Sequence, residues 1–128
     1  MKATNLEPLQ LILDFDDHGK LFDFHNDYTV HVLTIKDKTI KIIFKSIKDL
    51  KYVIQLVFTN IDVVCLKYQN SHNDYDELNT MLMFQRMKYV CGDEIVETQD
   101  GRALIRLEFE YHIERIDFWC DEILLFHL

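Results

Sequence analysis

Between Tyr28 and Lys45 two arms of strand-favouring residues lie on either side of Asp37-Lys38. The first arm, YTVHVLTIK, is rich in β-branched residues, and the second, Thr39 to Lys45, sets Ile40, Ile42 and Phe44 on one side. Successive side chains of an extended chain point to opposite faces, whereas a helix needs a period near 3.6, so β-branched composition with alternation points to strands. Two polar residues between two such arms predict a tight hairpin.

The same signature recurs along the chain. Ala103, Ile105, Leu107, Phe109 and Tyr111 alternate with Leu104, Arg106, Glu108 and Glu110, which predicts a second long strand. Tyr52, Ile54, Leu56 and Phe58 alternate, and Ile61, Val63 and Cys65 continue past a kink at Asn60, as one bent strand or two. Leu9, Leu11, Leu13 and Phe15 predict a strand that Asp16 to Gly19 turns back into Lys20 to His25, with Phe22 and Phe24 on one side. Ile116 to Cys120, Asp121-Glu122 and Ile123 to Leu128 read as a closing hairpin. Cys91 to Glu94 and Gln99 to Arg102 carry turn residues, and Tyr68 to Glu77 reads as a polar surface loop.

Leu78 to Val90 fits two patterns. Asp74 with Glu77 resembles a capping box and Leu78, Met81 and Leu82 have helical spacing, yet Leu78, Thr80, Leu82 and Phe84 also alternate; a short helix is the preferred reading. The expected fold is therefore mainly β: a meandering antiparallel sheet forming a sandwich or open barrel, with at most one or two short helices.

With 128 residues but only 3 Gly and 1 Pro, the chain offers no flexible linker, so residues 1–128 are expected to form a single domain. The 3 cysteines are odd in number and show no C-x-x-C spacing, which predicts neither a disulfide framework nor a zinc site and suits a cytoplasmic address. No apolar run is long enough to cross a membrane and no signal-peptide pattern opens the chain. A formal net charge of −8 repels phosphate backbones, so nucleic acid is not an expected partner. Lys36, Lys38, Lys41, Lys45, Lys48 and Lys51 alternate with apolar residues and read as the wet side of strands.

Catalytic and metal chemistry find little support. Asp14-Phe15-Asp16-Asp17-His18-Gly19 opens like a calcium loop, but His25 stands where the chelating Glu is required. His18, Asp23, His25 and Asp27 are metal-ligand types, but on a strand Asp23, His25 and Asp27 lie about 7 Å apart in succession and converge only if the sheet is strongly curved. Ser46 and Ser71 lack a G-x-S-x-G context, and Gly19, Gly92 and Gly101 are scattered one to a turn, so no phosphate-cradling loop can be built. No cofactor, metal or catalytic group is expected. Trp119 lies on one side of its strand with Asp117 and Asp121, an arrangement suited to a recognition anchor.

The stretch Phe24-His25-Asn26-Asp27-Tyr28-Thr29-Val30, running into a Lys-rich hairpin and later into alternating C-terminal strands, resembles small β-rich bacterial proteins grouped with the immunity proteins of polymorphic toxin systems. In those, a His-Asp dipeptide precedes the first long hairpin; here Asn26 stands between His25 and Asp27. The resemblance implies a non-enzymatic cytosolic inhibitor that binds a partner toxin. An acidic domain is steered toward a basic partner, and the expected contacts are Asp14, Asp16, Asp17, Asp74, Asp76 and Glu77, with Trp119 as anchor. The competing expectation is a small-ligand-binding barrel, or barrel enzyme, with an aromatic-lined cavity.

Overall fold

The computed structural model describes residues 1–7, 10–49, 51–67, 89–110 and 114–128, and the backbone of 82–84. Among the described residues eleven strands follow a 3₁₀ turn at Ala3–Asn5: β1 (Phe15–Asp17), β2 (Lys20–Phe22), β3 (Tyr28–Lys36), β4 (Thr39–Ser46), β5 (Val53–Phe58), β6 (Asp62–Lys67), β7 (Leu82–Phe84), β8 (Val90–Gln99), β9 (Arg102–Phe109), β10 (Glu114–Cys120) and β11 (Ile123–His127). They form a two-stranded sheet, β1-β2, a four-stranded sheet, β6-β10-β9-β8, and a five-stranded sheet, β11-β5-β4-β3-β7, all antiparallel. The fold is mainly β and is not a closed barrel. Among the described residues no helix is long and apolar enough to cross a membrane.

Three hairpins turn on two residues, and in each both central residues have positive φ: His18 and Gly19 at 52° and 89°, Asp37 and Lys38 at 52° and 57°, Asp100 and Gly101 at 53° and 77°. This is the signature of the type I′ turn, whose twist matches that of the strands it joins. The Asp37-Lys38 hairpin runs where the alternation placed it, with Ile35 opposite Ile40 and Leu33 opposite Ile42.

The two larger sheets face each other. Ile40, Ile42, Phe44, Ile54, Leu56 and Phe58 from one, and Ile105, Leu107, Phe109, Ile116 and Phe118 from the other, belong to one buried cluster. Phe58 meets Phe118 across the layer edge-on, with ring centroids 5.1 Å apart and planes at 82°. Leu11, Ile12 and Phe24 insert between the sheets, and Phe24 stacks on Phe44 at 4.4 Å.

Four expectations are corrected. Residues 10–13 form a turn, not the start of a strand: Leu11 and Ile12 are both buried, and consecutive burial is incompatible with a strand that covers one face only. Leu82–Phe84 is a strand paired with β3, so the alternation there prevails over the helical spacing, while most of 78–88 lies outside the described residues. Cys91 to Glu94 is no turn but part of β8, the longest strand; register shifts between Val90 and Gly92 and between Ile95 and Glu97 break its alternation. Asp121-Glu122 does not close a hairpin, because β10 pairs with β9 and β6 whereas β11 pairs with β5 in the other sheet.

The last correction exposes the logic of one corner. The chain crosses between sheets twice there, at Thr59 to Ile61 and at Asp121-Glu122. The two crossings bond each other: Thr59 N donates to the Glu122 carbonyl at 3.0 Å and Asp121 N to the Thr59 carbonyl at 3.1 Å. Asn60 takes a φ of 49° at the bend, where the sequence placed a kink. The N-terminus seals the same corner, since Met1 and Ile123 exchange backbone bonds and Ala3 N donates to the Asp121 carbonyl at 2.8 Å.

Candidate partner-binding surfaces

The outward face of the four-stranded sheet carries two arginine centres. On β9, residues 102, 104, 106 and 108 point away from the buried Ala103, Ile105 and Leu107. Arg102 Nε donates to Asp121 Oδ1 at 2.8 Å and Nη1 to Asp62 Oδ2 at 2.7 Å, while Nη2 donates to the Asn60 carbonyl. Asn60 Nδ2 donates to Asp121 Oδ2 at 2.9 Å. The Arg102 hydrogen bond holds the Asp62 carboxyl below its ordinary pKa, those of Asn60 and then Arg102 do so for Asp121, and the Arg102 guanidinium is raised in turn.

Four residues along, Arg106 clasps Asp117 with two bonds, Nε to Oδ1 at 3.0 Å and Nη2 to Oδ2 at 3.2 Å, and Nη1 reaches Glu94 at 3.1 Å. Arg115 adds a third cation 3.5 Å from Asp117.

Trp119 sits half-buried in this lattice, on β10 between Asp62 and Leu104. The carboxylates expected to flank it as an acidic rim, Asp117 and Asp121, are both ion-paired to arginines. The alternation correctly grouped these side chains on one face. It missed Arg102 and Arg106 as their counterions, because opposite charges meet only once β9 is set beside β10 in the observed register.

The other described acidic candidates lie on or beside the β1-β2 hairpin. Asp14 and Asp16 are exposed and Asp17 is half-buried. Asp16 Oδ1 accepts from Gly19 N at 2.8 Å and so stiffens the turn. Directly opposite Asp16, Leu21 is 63% exposed, while Phe15 and Phe22, the paired inward residues, are each 2% exposed. The hairpin thus buries one side and offers carboxylates beside an exposed leucine on the other. Asp74, Asp76 and Glu77 lie outside the described residues.

Asp23, His25 and Asp27, weighed as metal ligands, are each engaged by other groups of the chain, while His18 is exposed. Asp23 accepts from His25 N at 3.2 Å and from Asn26 N at 2.9 Å, His25 Nδ1 bonds the Val90 carbonyl at 2.7 Å, and Asp27 lies 3.6 Å from Lys48. At the open end of the five-stranded sheet, Tyr52 hydroxyl accepts from Lys20 Nζ at 2.9 Å and lies 3.2 Å from His127 Nδ1. Burial, with Tyr52 and Asp27 nearby, pushes the Tyr28 hydroxyl up to about 12. The apolar void between the sheets has a volume of about 10 Å³, comparable to one water molecule.

Comparison of the chain with protein-family models, curated proteins and solved structures found no match.

Proposed function

We propose that this chain is a non-enzymatic protein-binding domain, of the kind that neutralises a basic toxin, and that the β1-β2 hairpin is its contact element. The observation that carries the reading is Leu21, 63% exposed opposite Asp16 on a hairpin anchored by two buried phenylalanines. An apolar side chain left in water beside carboxylates gains by burial against a partner, while the carboxylates steer a basic surface toward it. The net charge of −8 supplies the long-range attraction. Among the described residues, the void between the sheets, lined by Leu11, Phe24 and Leu107, measures about 10 Å³ and is too small for a metabolite, which favours this over a small-ligand carrier housed there.

The test is affinity capture from native lysate at low ionic strength with mass-spectrometric identification, comparing wild type with Asp14→Asn/Asp16→Asn/Leu21→Ala. Asn at position 16 retains the oxygen that accepts from Gly19, so the variant removes charge and leaves the turn. A basic protein retained by wild type, released by salt and lost in the variant supports the proposal. Equal capture by both proteins, or a wild type that elutes alone, overturns it.

A further inference from the structure

Charge segregates between the two large sheets. No Asp or Glu occurs in β3, β4, β5 or β11, although the chain carries 22 acidic residues. In the four-stranded sheet, by contrast, acids stand on every strand and the arginines are neutralised by them. The outward residues of the acid-free strands follow from the register: Lys41 lies opposite Val57, which lies opposite Leu124, and Phe126 pairs with Gln55 one step along. Lys36, Lys41 and Lys45 make no ion pair among the described residues. Phe126 is 46% exposed, and Val57 and Leu124 are half-buried.

We infer that this outer face docks an acidic protein surface, distinct in place and sign from the hairpin contact proposed above. Three ammonium groups without an ion pair among the described residues, set beside an apolar row, ask for carboxylates set among apolar side chains, which supply both the countercharge and the area to bury. At the β3-β4 end, a depression of about 280 Å³ is lined by Thr34, Lys36, Thr39 and Lys41, with Asp37 also at its edge. It offers two ammonium groups and two hydroxyls to a partner carboxylate. A second copy fits poorly, because a two-fold axis through the face sets lysine against lysine. An anionic bilayer fits poorly too, because three lysines fall short of the polybasic clusters of about four to eight that hold a protein to anionic lipid.

The probes are two synthetic strand peptides, one alternating Glu with Leu and one alternating Lys with Leu, titrated into the isotopically labelled chain while backbone amide signals are followed. The acidic peptide is expected to shift amides of β3, β4, β5 and β11, and the basic peptide to leave them in place. Lys36→Glu/Lys41→Glu/Lys45→Glu is expected to weaken the acidic peptide at least about tenfold. Phe126→Ser, at an exposed site where folding is little affected, weakens it as well, so the test survives if the triple variant does not fold. Shifts confined to β8, β9 and β10, or an unchanged affinity in both variants, overturn the inference. So does a dimer in light scattering that the triple variant dissolves, or binding to vesicles of equal phosphatidylcholine and phosphatidylserine that it abolishes while the peptide has no effect.

Discussion

Arg102 on β9 and Asp121 in the crossing between β10 and β11 form a 2.8 Å ion pair that locks the corner where the chain changes sheets. The same guanidinium reaches Asp62 and the carbonyl of Asn60, so one side chain ties both crossings to the neighbouring strand. Sheet corners need such ties, because leaving a ladder exposes backbone groups that must find other partners.

Arg102→Ala is therefore expected to destabilise the fold by about 1–2 kcal/mol, more than removal of a typical surface cation, because it deprives two carboxylates and a carbonyl together. Urea unfolding measures this. Lys38→Ala, which removes an exposed 3.4 Å contact to the same Asp62, is expected to change stability by less than about 0.5 kcal/mol.

Acid should loosen this corner. Asp62 and Asp121 titrate below their ordinary value in the folded chain, so their stabilisation is present above the unfolded carboxylate value, near 3.8, and is lost as pH falls through the depressed folded values. The melting temperature should drop below about pH 4, with a shallower acid limb in Asp62→Asn/Asp121→Asn. An identical acid limb in wild type and variant would remove this pair from the account.

The alkaline limb has other sources. Burial, and secondarily Asp121, pushes the Cys120 thiol from 9.0 up to about 12, and burial does the same for the Tyr28 hydroxyl from 10.0 to about 12. For both, the stability of the neutral form is full below the unfolded value and declines as pH rises toward the folded one. Cys120, 0% exposed, should resist a thiol reagent in the native state and react only on unfolding, whereas half-buried Cys65 and Cys91 should react sooner.

Core packing should be least forgiving between the sheets. Phe58 and Phe118 are each 0% exposed and meet edge-on at 5.1 Å. Phe118→Ala is expected to cost about 3–5 kcal/mol by denaturant unfolding, with a smaller loss for Phe118→Leu.

The Asp37-Lys38 turn holds two non-glycine residues at positive φ, 52° and 57°. Replacing the pair with Asn-Gly, the preferred type I′ dipeptide, should raise stability by about 0.5–1 kcal/mol, read from the urea midpoint at unchanged slope.

Much of this architecture is local and so is legible before folding. The period of two in Thr39 to Lys45 and Ala103 to Phe109 marks strands, because alternate side chains must separate core from water, and the β-branched residues of Tyr28 to Lys36 mark another. Gly19, Gly101 and Asp37 mark turns, because a reversal in two residues needs backbone conformations that few residues tolerate. β8 escaped such reading because two bulges shift its phase, and Leu11-Ile12 because both side chains are buried in a turn.

What the sequence determined by itself was thus where the chain is extended, where it reverses, and that it carries excess negative charge. Only the tertiary structure decided which strand lies beside which. A backbone ladder bonds equally well to many partners, and the choice is made by burial and register over long separations. That choice sends β10 and β11 into different sheets across Asp121-Glu122 and sets Arg106 against Asp117. It also gathers Lys36, Lys41 and Lys45 on one face of strands that carry no carboxylate, because pairing β3, β4 and β5 side by side turns alternation along each strand into a common surface.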